Sequence, residues 1–319
     1  MFPNSVSRSF SYDSYLYPHH LIPMAKLTRL LTFILSVLQF SFAPFSTIAQ
    51  KLTPLPIFQP EWTRDFPPFR IAGNLYYVGT YDLASYLITT PAGDILINTG
   101  LPGSDTMIRK HVETLGFKFK DIKILLATHA HFDHVGAMAA IRQSTRAKMM
   151  IEEKDAPVLA DGGNSDFLFG GNGPIFPPVK ADRLLHDHDT VKLGGMEILV
   201  LHHPGHTKGA SSFLFTVRDD KRSYRVLIAN IPSILDSTKF PGMPAYPTVM
   251  KDYAYTLDTM PKLKFDLWFA SHASQFDLHT RHHPGDPYNP MAFSDRAGYD
   301  AAISDQQKAF SKRLSESTN

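Results

Sequence analysis

The sequence predicts an α/β protein organised as a four-layer αββα sandwich, two sheets face to face with helices outside. Three observations predict it. Short apolar runs bounded by turn residues are followed by helix-period segments. This order of strands and then helices comes twice along the chain, without any repeat of sequence to accompany it. Three histidine-bearing turns each directly follow an apolar strand, which is where open α/β sheets place their chemistry.

With 319 residues, 43% of them hydrophobic, the chain can bury a large core. Its beginning reads differently. Met24-Ala25-Lys26 and Arg29 form a short basic region, Leu30 to Leu38 is apolar apart from Thr32 and Ser36, and Thr47-Ile48-Ala49 offers small residues for cleavage. That is the pattern of a secretory signal peptide. An uncleaved anchor helix is the rival reading, disfavoured because a span needs roughly 18–20 apolar residues. Residues 1–23 resemble neither signal nor domain, which points to Met24 as the true start. The expected organisation is therefore 1–49 as N-terminal extension and signal peptide and 50–319 as one folded domain, periplasmic and without a stable membrane anchor.

The chain has no cysteine, which excludes disulfides and lipid attachment through an N-terminal Cys. Setting aside Arg8, Lys26, Arg29 and Asp13 from the totals of 32 basic and 30 acidic residues leaves an even balance. No Lys/Arg cluster with interleaved aromatics exists, so nucleic acid is not an expected partner.

Taken in order, Pro54, Pro56, Pro60, Pro67 and Pro68 mark an extended lead-in. Strands follow at Phe69–Ile71, Leu75–Val78, Tyr86–Thr90 and Asp94–Asn98, separated by Ala72-Gly73-Asn74 and Pro91-Ala92-Gly93-Asp94, and read as an antiparallel meander. Ser104 is expected to cap a helix running to about Leu115. Next come a strand at Ile122–Ala127, a helix to Ser144, a strand at Lys148–Glu152 and a short helix at Lys154–Leu159. Asp161 to Pro178 mixes five glycines with Phe167, Phe169 and Phe176. It is either a mobile lid over a cleft or a loop folded onto the surface, and its length favours the lid. The second half carries strands at Thr190–Leu193, Glu197–Leu201, Ser212–Val217, Tyr224–Ile228 and Asp266–Ala270, with helices at Lys251–Met260 and from Asp295 to about Leu314.

The chain is organised around Thr128-His129-Ala130-His131-Phe132-Asp133-His134. In an extended turn His129 and His131 point the same way, while Asp133 and His134 follow a tighter bend and can face a second point. Pro204-Gly205 forces a turn that presents His206, and His272 follows the last strand. Sandwich strand ends converge on one edge, so the count becomes His129, His131 and His206 for one ion and Asp133, His134 and His272 for another. Three protein ligands per zinc leave a coordination position open, the mark of a catalytic site.

This combination resembles the metallo-β-lactamase fold superfamily over about residues 69–318. Within it the chain is most similar to subclass B3 metallo-β-lactamases, particularly the GOB type, through His202-His203-Pro204-Gly205-His206-Thr207-Lys208-Gly209, Ile228-Ala229-Asn230, Ala270–Asp277 and Asp286-Pro287-Tyr288-Asn289-Pro290. GOB-type enzymes often carry Gln where this chain has His129, so the full three-histidine set favours occupancy of both metal positions. Subclasses B1 and B2 use a Cys thiolate, absent here. Lactonase-like and glyoxalase-like relatives place a bridging Asp after the strand where this chain has Ala229-Asn230-Ile231.

The resemblance implies two zinc ions per chain, a monomer, and hydrolysis of the amide of a small-molecule β-lactam (penicillins, cephalosporins, carbapenems), with Asp133 orienting the nucleophile. A lactonase or thioester hydrolase is the alternative, and a non-catalytic zinc protein of the envelope a more distant one. The resemblance also implies that Ser233 contacts the substrate carboxylate and that the loop around Phe167 and Phe169 covers its apolar part. Asn98 and Thr207 are candidates to orient the ligands. His186-Asp187-His188-Asp189 and His282-His283 read as solvated loops, His202 and His203 as packing and hydrogen-bonding residues, and Met149-Met150 as core.

Overall fold

In a computed structural model of the chain, residues 9–14 and 51–317 are described; the expected signal segment lies outside them. Contacts divide the chain into Met1–Ala49 and Gln50–Asn319, and the strands and helices described all lie in the second unit.

The first sheet holds seven strands in sequential order: β1 (Phe69–Ala72), β2 (Leu75–Tyr77), β3 (Tyr86–Ile88), β4 (Asp94–Ile97), β5 (Ile122–Leu126), β6 (Lys148–Glu152) and β7 (Arg183–Leu185). β1 to β4 form the expected antiparallel meander. From β4 onward the pairs are parallel, because the chain now crosses back between strands. The second sheet orders β12-β11-β10-β9-β8, with β8 (Thr190–Leu193), β9 (Met196–His202), β10 (Ser211–Arg218) and β11 (Ser223–Ala229) antiparallel and β12 (Leu267–Ala270) parallel to β11. The helices are α1 (Asp105–Thr114), α2 (Phe132–Val135), α3 (Met138–Thr145), α4 (Ala156–Ala160), α5 (Val249–Thr259), α6 (Leu278–Arg281) and α7 (Arg296–Ser317).

Side-chain alternation along β5 shows the layering. Ile124 and Leu126 pack in one core with Ile198, Val226 and Ile228 of the second sheet. Leu125 turns the other way, into a core with Ile108 and Val112 of α1 and Ile141 of α3. Leu257 of α5 and Tyr299 and Ile303 of α7 cover the second sheet's outer side with Trp268. A sheet buried on both faces needs apolar residues at successive positions, which is why its strands read as continuous runs. Each fully buried Ile or Leu contributes about 1.5–3 kcal/mol before chain entropy is counted. The four layers are those expected.

Several elements differ from expectation. The single helix expected after the ligand turn is two, α2 and α3. Between them Gly136 passes so close to Leu101 and Pro102 that an added Cβ would lie 2.3 Å from the Pro102 nitrogen, while its N–H donates to the Gly100 carbonyl at 2.9 Å. Ser104 stands at the start of α1 but makes no capping hydrogen bond. β7 has no counterpart in the sequence reading; it is a three-residue edge strand with little pattern to read. The Gly-rich segment is folded on itself rather than free: Gly162 accepts from Ile175 and Phe176, Asn164 accepts from Gly171, and Ile175 and Phe176 are buried.

Candidate metal centre

β5, β9 and β12 deliver the three histidine-bearing turns to one edge of the sandwich. Ser211 N–H donates to the Thr128 carbonyl at 2.7 Å and Ala84 N–H to the Ser271 carbonyl at 3.0 Å. Leu83 and His272 form a bridge between segments 189 apart in sequence, so the turns are tied to each other as well as to their strands.

There the six expected side chains meet. The His129 ring lies 4.8 Å from His131, 4.7 Å from His206 and 4.3 Å from His134, centroid to centroid. His131 and His206 are 4.7 Å apart, and His134 and His272 5.0 Å. Asp133 Oδ2 is 3.3 Å from His134 Nε2 and 3.4 Å from His272 Nε2. One group of nitrogens, from His129, His131 and His206, and a second of His129, Asp133 and His134 each have ligand atoms within 4.8 Å of one another. His272 completes the second through Asp133.

Hydrogen bonds set which nitrogen each ring offers. His206 Nδ1–H donates to the Ser233 carbonyl at 2.8 Å, leaving Nε2 as the lone pair. His272 Nδ1–H donates to Asp82 Oδ2 at 2.9 Å, leaving Nε2 facing Asp133. His129 Nε2, His131 Nε2 and His134 Nδ1 are buried without any hydrogen-bond partner, a costly state for a polar atom unless something else satisfies it. Burial, helped by the neighbouring His134 and His206, holds the His129 imidazole well below its ordinary value, and burial with His131 pushes His206 down to about 3. Burial opposes charge on Asp133, but His134 and His272 outweigh it and keep its carboxyl well below the carboxylate range. Burial also opposes charge on His272, and there Asp133 and Asp82 prevail, raising it to about 9. Neutral imidazoles at His129, His134 and His206 beside the ionised Asp133 are donors that a borderline divalent cation takes, and such a cation would displace the proton that Asp133 and Asp82 hold on His272, so the residues present fit a pair of zinc-like ions.

The pocket at this centre, about 150 Å3, is lined by Ile57, Trp62, Phe132, Phe169, Ile231 and Leu235 together with His129, His131, Asp133, His206 and His272 of the cluster, Ser233 and Gln275. Phe169 lies on it, 5.2 Å from the His131 ring. Phe167, expected beside it, packs against Tyr246 at 5.0 Å and is not among the lining residues; the contact with Tyr246 holds its ring away from the pocket. Asn98 accepts from Thr128 N–H at 2.9 Å and donates to Thr128 Oγ1 at 3.1 Å. His202 donates to the Lys208 carbonyl and His203 pairs with Ser212. His186 and His188 are exposed, and His282 stacks on Phe69 at 3.7 Å.

Three carboxylates escaped the sequence reading. Asp82 accepts from His272, from Trp62 Nε1 at 3.1 Å and from Ser274 N–H at 3.0 Å. Asp155 joins two ligand turns, accepting from Ala130 N–H at 2.9 Å, Thr207 Oγ1 at 2.7 Å and Gly209 N–H at 2.7 Å. Asp166 Oδ2 lies 3.2 Å from His131 Nε2. None belongs to a motif; the one local signal is that Asp82 and Asp155 sit in turns beside strands.

The sequence profile of the metallo-beta-lactamase superfamily matches residues 80–219. Among solved structures, a beta-lactamase from Chitinophaga pinensis is 65% identical, with a TM-score of 0.82, covering 83% of this chain and 100% of that one. The class B3 di-zinc metallo-beta-lactamase LRA-12 from an Alaskan soil metagenome is 55% identical (TM-score 0.81; 82% and 100% covered). The metallo-beta-lactamase GOB-18 from Elizabethkingia meningoseptica is 50% identical (TM-score 0.82; 84% and 99% covered). Curated relatives are matched over less of their length; a probable metallo-hydrolase from Methanocaldococcus jannaschii, 32% identical, is covered over 63%. The chain belongs to the metallo-β-lactamase superfamily and, within it, to the class B3 family.

Proposed function

We propose that this protein hydrolyses the amide bond of β-lactam antibiotics using two zinc ions, held by His129, His131 and His206 and by Asp133, His134 and His272. The observation that carries the reading is the convergence of these six side chains, five of them lining one pocket and His134 beside Asp133, with lone pairs of His206 and His272 turned inward by the Ser233 and Asp82 contacts. Zinc held there supplies Lewis acidity, which brings the pKa of water to about 7 and polarises a carbonyl oxygen.

The chain's own residues do the rest. Asp133, ionised and set between His134 and His272, accepts a hydrogen bond from the attacking water and orients it. Water oxygen adds to the carbonyl carbon, the C–N bond breaks, and the ring nitrogen takes up a proton to leave a ring-opened amino acid. Ser233 and Phe169, Ile57 and Leu235 line the pocket, which supports a role for the Ser233 hydroxyl in binding the substrate carboxylate and for the three apolar side chains in covering its apolar part.

A lactonase or thioester hydrolase built like its relatives needs a bridging acid after β11. Here the chain reads Ala229-Asn230-Ile231, and Ile231 and Ser233 line the pocket instead, which favours the β-lactam reading. The apolar stretch at Leu30–Leu38 supports export to the periplasm after cleavage near Ala49. Among the described residues no helix is long and apolar enough to cross a membrane, and we read the mature enzyme as a monomer.

The test is turnover of a penicillin, a cephalosporin and a carbapenem by the zinc-loaded protein. Hydrolysis lost on chelation, restored by zinc and untouched by serine-directed inhibitors is expected. Zinc-loaded protein that opens none of the three while cleaving acyl-lactones or glutathione thioesters would refute the assignment.

A further inference from the structure

The Gly-rich segment contains one carboxylate with two separate tasks. Asp166 Oδ1 accepts from both Leu168 N–H and Phe169 N–H, each at 2.8 Å, fixing the turn that carries Phe169. Oδ2 lies 3.2 Å from His131 Nε2. The side chain is 4% exposed, as is that of His131, so neither oxygen can turn to solvent when its partner leaves. Phe169 in turn packs edge-on against both His131, at 5.2 Å, and Phe132, at 5.6 Å. The base of the segment is held independently, by Ile175 and Phe176 in the core beneath α1 and α3. What Asp166 controls is the tip.

We propose that Asp166 is a positioning residue that couples this loop tip to His131, so that cation binding at His129, His131 and His206 and closure of Phe169 over the pocket favour one another. The inference rests on the metal assignment above. A proton on His131 Nε2, facing Asp166, leaves Nδ1 as the lone pair for a cation. Nε2 sits 3.2 Å from Oδ2 without making a hydrogen bond; a cation on Nδ1 fixes the ring and makes its Nε2–H a stronger donor, which draws the carboxylate into that bond. Until the ring is fixed, Oδ2 lacks a hydrogen bond from His131, a cost that the loop relieves by opening to water. Linkage makes the effect reciprocal: whatever closes the tip tightens the cation site by the same factor.

Asn separates the two tasks. Asp166→Asn keeps an oxygen for the Leu168 and Phe169 amides but presents an NH2 donor to the His131 N–H. The experiment is hydrogen exchange of residues 164–171 in the full chain, with zinc and after chelation, alongside zinc affinity by competition with a chelating dye. In the wild type, zinc is expected to slow exchange at Leu168 and Phe169 by roughly tenfold or more while leaving Ile175 and Phe176 unchanged. In Asp166→Asn the zinc dependence is expected to vanish and affinity at one of the two zinc positions to fall about 10–100-fold. A merely structural role would lower protection equally in both states and leave the zinc response intact. Zinc bound by the wild type with exchange at the tip unchanged overturns the coupling alone, whatever the variant does. Failure to bind zinc at all overturns the metal assignment with it.

Discussion

Asp155 is where the fold and the metal centre depend on each other most. Its carboxylate, 1% exposed, accepts three hydrogen bonds, two of them from the His129–His134 turn and the His206 turn and the third from Gly209. Asp155→Ala leaves three buried donors unpaired, each costing about 1–3 kcal/mol. Part of that is returned, because burial pushes the Asp155 carboxyl up and its removal relieves the cost. Breaking such a buried charged network costs about 3–5 kcal/mol in total, a large share of the roughly 5–15 kcal/mol that holds a domain together. Asp155→Asn keeps an oxygen for the two ligand turns and opposes its NH2 to Gly209 N–H, so one donor is lost and about 1–3 kcal/mol is expected. Urea unfolding of the zinc-free proteins gives both values without contribution from bound metal. Zinc affinity is expected to fall about 10–100-fold in the Ala variant. An Asp155→Ala protein within roughly 0.5 kcal/mol of wild type, with unchanged zinc affinity, would show that the two turns are positioned by their strands alone.

Other outcomes turn on single residues. Glu152 is pushed up to about 7 by burial, with Asp155 nearby adding to it, against an ordinary value of 4.5. The folded state then holds this proton more tightly than the unfolded chain, so stability contributed at low pH is lost as pH rises from about 4.5 through 7; Glu152→Gln is expected to flatten that slope in urea titrations at about pH 5 and 8, and an unchanged slope counts against it. Asn98 adopts φ 60° while bonding Thr128 twice, so Asn98→Ala combines left-handed strain with an unpaired buried N–H and should lower stability by about 2–4 kcal/mol; calorimetry showing no change in Tm would contradict this. Phe169→Ala removes an aromatic wall of the pocket and is expected to raise KM about 5–30-fold with kcat little altered, which steady-state kinetics on a penicillin with an aromatic side chain would check.

The candidate ligands of the first turn were legible because they are local: a turn of alternating donors after an apolar strand can be read from residues side by side. The layers were legible for a similar reason, since strands buried on both faces are apolar at every position. Asp82, Asp155 and Asp166 were not, because their partners arrive from elsewhere in the chain. Asp82 meets His272 across 190 positions and Asp155 meets Thr207 across 52. An acid in a turn looks solvated until the tertiary contact exists. The break between α2 and α3 was hidden likewise: Gly136 is needed for a close approach to Leu101 and Pro102 that only the fold creates. Phe167 and Phe169 carry the same chemistry two positions apart, and only the fold separates them, Phe169 to the pocket and Phe167 against Tyr246.

Zinc counted per chain, in the wild type and in variants that each remove one cluster, tests the central claim most directly. Two zinc ions are expected in the wild type, with one lost in His206→Ala and the other in His272→Ala. A wild-type protein that holds fewer than two at saturating zinc, or a His272→Ala variant that still holds both, would mean that these six side chains do not form the two positions described.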